Sequence, residues 1–192
     1  RFEWWRFVVT WTSFTSGSAG DGSGQGIFAQ RYDAAGNPVG VEFPVNTEVS
    51  GDQRESVVAG LADGTFVVAW TDENGLDTAG YGVYAQHFAA DGSPLGGQFR
   101  VNENFSSNQY EPAITALDGG GFVVSWRDDS GRDGSGAGVF AQQYDANAER
   151  VDGEFQVNTE FSSSQYEPAL THSASGGFVA LWSSFSSGTA GD

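Results

Sequence analysis

Phe66-Val67-Val68-Ala69-Trp70 is an unbroken apolar run that ends on an indole, and it returns three times, as Phe7 to Trp11 (FVVTW), Phe122 to Trp126 (FVVSW) and Phe178 to Trp182 (FVALW). Four copies of one short segment mean that a single supersecondary unit has been repeated, and everything between the copies is read in register with it. Phe66 to Phe122 and Phe122 to Phe178 are both steps of 56 residues, while Phe7 to Phe66 is 59. Trp11 to Gln30 spans 19 residues where Trp70 to Gln86 and Trp126 to Gln142 span 16, so the additional residues fall in one loop, which is thereby marked as exposed. The chain divides into a non-repeating segment 1–6, units 7–65, 66–121 and 122–177, and a partial unit 178–192.

Each unit reads as four strands. Strand A is the FVV segment, apolar on both faces and so expected to be covered on both sides. A loop rich in Gly, Ser and Asp follows, then strand B, Ile27 to Tyr32 in the first unit, where alternate residues share a face. The turn Asp33-Ala34-Ala35-Gly36-Asn37-Pro38 has chain-reversing chemistry. Strand C, Glu42 to Asn46, contains Pro44, which cannot donate to a ladder, so it belongs at a sheet edge. Strand D, Ser56 to Leu61, leads through Ala62-Asp63-Gly64 into the next strand A. Ser183 to Asp192 (SSFSSGTAGD) matches Thr12 to Asp21 (TSFTSGSAGD) apart from Ser/Thr exchanges, as expected of a piece that joins more of the same.

Lys and Arg number 8 against 25 Asp and Glu, a formal charge of −17. That balance argues against binding nucleic acid phosphates or an anionic membrane, both of which need a basic surface. No run approaches the 18 apolar residues of a spanning helix, so membrane insertion is not expected. The chain opens on Arg1 with no charged-then-apolar leader, as a mature or interior fragment would. Absence of Cys and Met, with the acidity and the glycines, fits an oxidising extracellular or cell-surface setting.

The expected fold is all-β, with tandem four-stranded antiparallel units like the blades of a β-propeller; a linear β stack or solenoid is the alternative. Gly120 to Trp126 (GGFVVSW), Asp133 to Asp145 (DGSGAGVFAQQYD) and Gly153 to Asn158 (GEFQVN) together resemble repeats of very large secreted bacterial proteins of the calcium-dependent adhesin and hemolysin-like (RTX-like) class. The resemblance covers nearly all of residues 7–192 and implies an extracellular repeat module. The nonapeptide calcium repeats of that class are not matched.

Two sets of residues carry candidate chemistry. Asp72, Asn74 and Asp77 in the second unit, and Asp128, Asp129 and Asp133 in the third, put oxygen ligands for Ca²⁺ on Gly-rich loops; the same side chains also make solvated Asx turns. Gln109-Tyr110-Glu111-Pro112-Ala113 recurs as Gln165 to Ala169. Tyr110 and Tyr166 beside Glu111 and Glu167 suit a sugar ring, stacked on the phenol and hydrogen-bonded at its hydroxyls, or else the tyrosines pack between units. The four repeated tryptophans are expected in the core. No Ser-His-Asp set, zinc helix motif or phosphate-cradling loop is visible, so the sequence reads as a non-enzyme. The leading expectation is a structural module of a bacterial surface adhesin or fibre that associates head to tail by strand pairing. The alternative is a propeller lectin for cell-surface glycans.

Overall fold

A computed structural model describes residues 5–14, 24–73 and 80–185. The FVV segments form β1 (Phe7–Phe14), β5 (Phe66–Asp72), β9 (Phe122–Asp128) and β13 (Phe178–Ser184), one in each of four antiparallel sheets. The remaining strands are β2 (Gln25–Tyr32), β3 (Pro38–Pro44), β4 (Gln53–Gly60), β6 (Gly82–Phe88), β7 (Phe99–Arg100), β8 (Gln109–Ala116), β10 (Gly138–Tyr144), β11 (Arg150–Gln156) and β12 (Gln165–His172). In chain order the sheets run β1-β2-β3, β4-β5-β6-β7, β8-β9-β10-β11 and β12-β13. This is the all-β, propeller-like arrangement, with four strands in each of the two middle sheets. The strand read as the last of one unit is in fact the first of the next sheet: β4 pairs with β5, Gly60 opposite Phe66, and β8 with β9, Ala116 opposite Phe122.

The hairpin between them has a chemical cause. Leu61 N–H bonds Thr65 O at 2.8 Å and Gly64 N–H bonds Leu61 O at 3.1 Å, with Gly64 at φ 88°, a conformation costly for any residue with a Cβ. Gly120 and Gly176 repeat it at φ 86° and 93°. The strands carrying Pro44, Arg100 and Gln156 lie at sheet edges, as the proline requires.

Side-chain alternation on strand A decides how the sheets stack. Phe66, Val68 and Trp70 face the first sheet and pack with Ile27, Ala29 and Val45, while Val67 and Ala69 face the third and pack with Phe122, Val124 and Trp126. Trp70 and Trp126 thus each lean on the preceding sheet. Trp70 and Trp126 are fully buried. Cover on both sides holds for β5 and β9 only. β1 and β13 each keep one bare face, with Phe7 and Val9 exposed on one and Val179 and Leu181 on the other, because no further sheet stands beyond them among the described residues. Ahead of β1, Trp5 docks edge-on against Phe66, ring centroids 5.5 Å apart.

Polar residues that keep the 56-residue step join one sheet to the next. Asn46, Asn102 and Asn158 follow the outer strands, and their Oδ1 atoms accept the N–H of Ile27, Val83 and Val139 at 2.8, 2.9 and 2.8 Å. Their Nδ2 groups donate to Gln53, Gln109 and Gln165, the first residues of the following sheets, at 3.0, 3.0 and 2.9 Å. All three glutamines are fully buried. A buried amide deprived of its partner costs about 1–3 kcal/mol, so this bond fixes where each sheet begins.

Candidate binding cleft

The first strands of the second, third and fourth sheets share an irregularity. Register shifts between Arg54 and Val57, Tyr110 and Ala113, and Tyr166 and Ala169 mark a bulge in β4, β8 and β12. Bulges break the ladder locally and re-aim side chains. Inside each sits a glutamate with positive φ, Glu55 at 57°, Glu111 at 55° and Glu167 at 52°. A non-glycine residue there is strained, and strain of this kind is held only where the surroundings enforce it. The enforcement is visible. Glu111 N–H donates to Glu55 Oε2 at 3.1 Å, and Glu167 N–H donates to Glu111 Oε2 at 3.0 Å, so the carboxylate of one sheet binds the backbone of the next. Pro112 and Pro168 fall within the bulges, where a missing ladder donor does least harm.

The residue before each glutamate meets a different neighbour on the adjoining strand. Arg54 forms an ion pair with Glu73 and lies 5.1 Å from the Tyr81 ring centroid. Tyr110 donates its hydroxyl to Asp129 Oδ2 at 2.6 Å, with Tyr81 edge-on at 6.4 Å. Burial first, then the bond to Asp129 and its charge, push the Tyr110 phenol well above the usual range. Tyr166 meets Phe185 instead, edge-on at 5.8 Å and 89°. Among the described residues its hydroxyl has no hydrogen-bond partner.

Arg127 ties the third and fourth sheets together. Its guanidinium lies 4.7 Å from the Tyr110 ring and 4.2 Å from the Tyr166 ring, within the range of cation–π attraction. Its Nε and Nη2 donate to Asp129 at 2.9 and 3.3 Å, and Nη1 stands 3.6 Å from Glu111 Oε1. Beyond it opens a cavity of about 500 Å³ lined by Glu111, Arg127, Tyr166, Glu167, Ser183 and Phe185. Three of the four residues read from sequence as glycan-binding line this one cleft. Tyr110 is the exception, its hydroxyl engaged by Asp129. Arg127, Ser183 and Phe185 were not anticipated, although the sequence holds a signal: Arg127 stands where the sister strands have Thr12, Thr71 and Ser183, and Phe185, like Phe14, stands where the two middle strands have Glu73 and Asp129.

The carboxylates read as calcium ligands are placed differently. Asp72 is buried at the end of β5, its Oδ2 3.3 Å from Trp70 Nε1. Asp128 is buried, accepts Ser130 N–H at 2.8 Å and pairs with Arg132 at 2.9 Å. Asp129 is held by Tyr110 and Arg127 as above, and Asp133 by Ser135 N–H at 3.2 Å and Asn158 Nδ2 at 3.3 Å. Asn74 and Asp77 lie outside the described residues. Among the described residues no three His, Cys, Asp or Glu side chains gather in a group that would hold a metal ion.

No family model matches the chain, and no curated protein does. Solved structures do. An endo-arabinase from Bacteroides thetaiotaomicron VPI-5482 superposes with a TM-score of 0.55 at 14% identity, over 91% of this chain and 65% of its own. A protein of unknown function from Dyadobacter fermentans DSM 18053 gives 0.64 at 11%, over 94% and 59%. A thermostable family-43 glycoside hydrolase gives 0.55 at 8%, over 92% and 61%. The chain therefore spans less than two thirds of these structures, and at such identity the likeness is one of fold. It corrects one expectation. A lack of catalytic motifs led the sequence to be read as a non-enzyme, whereas this strand arrangement carries glycoside hydrolases, so that exclusion does not stand.

Proposed function

We propose that this chain is a glycan-binding part of a β-propeller, and that the sugar occupies the cleft between the third and fourth sheets. The observation that carries the reading is the pairing of Tyr166 with Phe185 where the second and third sheets have an ion pair or a phenol–carboxylate bond. A sugar ring has apolar C–H faces and a polar rim, so it needs an aromatic wall with acceptors near its edge. Tyr166 and Phe185 supply the wall, with Glu111, Glu167 and Ser183 at its margin. A concave site of several hundred Å³ with a few convergent polar groups is the form that small-ligand sites take. The fold relationship to an endo-arabinase makes arabino-oligosaccharides the first sugars to try.

Titration calorimetry with a panel of neutral oligosaccharides, arabinan fragments included, tests the reading, with reducing-sugar release followed on the same samples. Saturable binding of one sugar per chain is expected, weakened at least tenfold by Tyr166→Ala. A panel without saturable heat, or a Tyr166→Ala variant that binds as well as the parent, would overturn it.

A further inference from the structure

The seam between the second and third sheets has four strands on either side, and it encloses a histidine. His87 is 5% exposed on β6, opposite Val67 of β5. It follows Val83 and Ala85 on the face that packs with the third sheet. Its Nε2 stands 3.0 Å from the Thr65 hydroxyl, which donates to Asp63 Oδ1 at 2.6 Å. The one hydroxyl hydrogen is committed to the carboxylate, so the oxygen accepts from the imidazole. In its neutral form the ring therefore carries its hydrogen on Nε2 and leaves Nδ1 bare. The same direction of bonding rules out Thr65 as a nucleophile, because its hydrogen points away from the base.

This relay belongs to one unit alone. Where the second sheet has Asp63, Thr65 and His87, the third has Gly119, Gly121 and Gln143, and Arg31 holds the place of His87 in the first. Arginine and glutamine keep their charge state through neutrality, whereas histidine changes its own there. A proton taken up by His87 brings a charge and a second N–H into the seam, and a charge taken out of water is costly unless it is paired. Asp63, two hydrogen bonds away, is the charged group that acts on it. Titratable groups on the other elements packed against β6 stand further along the strands. Asp72 of β5 is opposite Gly82, Arg100 of β7 is opposite Tyr84, and Tyr110 and Glu111 lie toward the end of β8 that meets Asp128. Burial outweighs the Asp63 charge and holds the imidazole below its usual range.

We propose that Asp63, Thr65 and His87 form an acid-release latch, which holds the second sheet's hairpin and its seam with the third sheet at neutral pH and gives way in mild acid. The stability it contributes is fully present above the ordinary histidine pKa of about 6.5 and is lost as pH falls through the lowered folded value.

Amide hydrogen exchange at about pH 7.5 and about pH 5, corrected for the intrinsic chemical rate, reads the latch in peptides covering 61–66 and 86–95. Acid is expected to raise their opening at least about threefold in the parent. His87→Gln, which installs the residue found at position 143, should remove that acceleration. His172→Gln should keep it, since the other histidine pairs with Asp118 at 2.7 Å on the surface. Asp63→Asn should enlarge it, because the imidazolium loses its nearby carboxylate while the hydroxyl keeps an acceptor. Acceleration that persists in His87→Gln, or that shrinks in Asp63→Asn, would overturn the latch. An NMR titration of the His87 ring in the parent decides independently of any variant, and a midpoint at or above the ordinary value overturns it as well.

Discussion

The third and fourth sheets begin with the same five residues, Gln-Tyr-Glu-Pro-Ala, and continue into nearly the same FVV strand, yet their side chains have different fates. Trp126 is fully buried against the second sheet, whereas Trp182 is half-buried on a strand whose far face is bare. Tyr110 spends its hydroxyl on Asp129, whereas Tyr166 faces Phe185 and a cavity. Backbone, bulge and strained glutamate are common to both. What separates a structural position from an available one is the residue across the ladder, and in a repeat protein that residue can change without disturbing the fold.

The largest test of this contrast concerns the indoles. Trp126→Ala removes a fully enclosed side chain and is expected to cost about 3–5 kcal/mol, while Trp182→Ala should cost about 2 kcal/mol, because Trp182 is only partly buried. Denaturant unfolding of both variants reads the difference, and equal losses would mean that the fourth sheet is covered in solution. Next in size, Phe185→Asp rebuilds in the fourth sheet the pair that Tyr110 and Asp129 make in the third. Affinity for a neutral oligosaccharide should fall about tenfold, roughly 1.4 kcal/mol, with thermal stability unchanged or slightly raised.

The smallest effect lies at high pH. The Tyr110 phenol is raised in the folded state, so the folded protein holds that proton more tightly than the unfolded chain does. The resulting stability is fully present below the ordinary phenol pKa of about 10 and is lost as pH rises beyond it. Tyr110→Phe should therefore flatten the alkaline part of the stability curve. A remnant is expected to stay, since burial raises the Tyr144 phenol as well.

Much of the architecture is legible from the FVV runs and their spacing, because strands covered on both faces are nearly all apolar and turns announce themselves by glycine and Asx. The seams were harder to read. Asn102 and Gln109 keep the repeat step as plainly as the tryptophans do, but a polar residue in a loop looks solvated until Val83 N–H, 19 residues earlier in the chain, is brought against it. Strand D could not be assigned to its sheet from sequence either, since a hairpin joins it to the next FVV run just as a unit boundary would. Tyr110 and Tyr166 looked alike for a related reason. Their neighbours Asp129 and Phe185 are each 19 residues further on, and only the ladder makes them adjacent. The departure at Arg127 is visible in the sequence, but it acquires meaning only once positions are compared across sheets.

Because the carboxylates of Glu55 and Glu111 each grip the amide of the counterpart 56 residues later, the junctions of the second sheet with the third and of the third with the fourth are made from the same atoms. Inserting one more unit would create a new junction of a kind the molecule already contains, and deleting one would rejoin two compatible ends. Such an array can change its length by copying without first evolving a new interface, while the few side chains that line its clefts remain free to diverge.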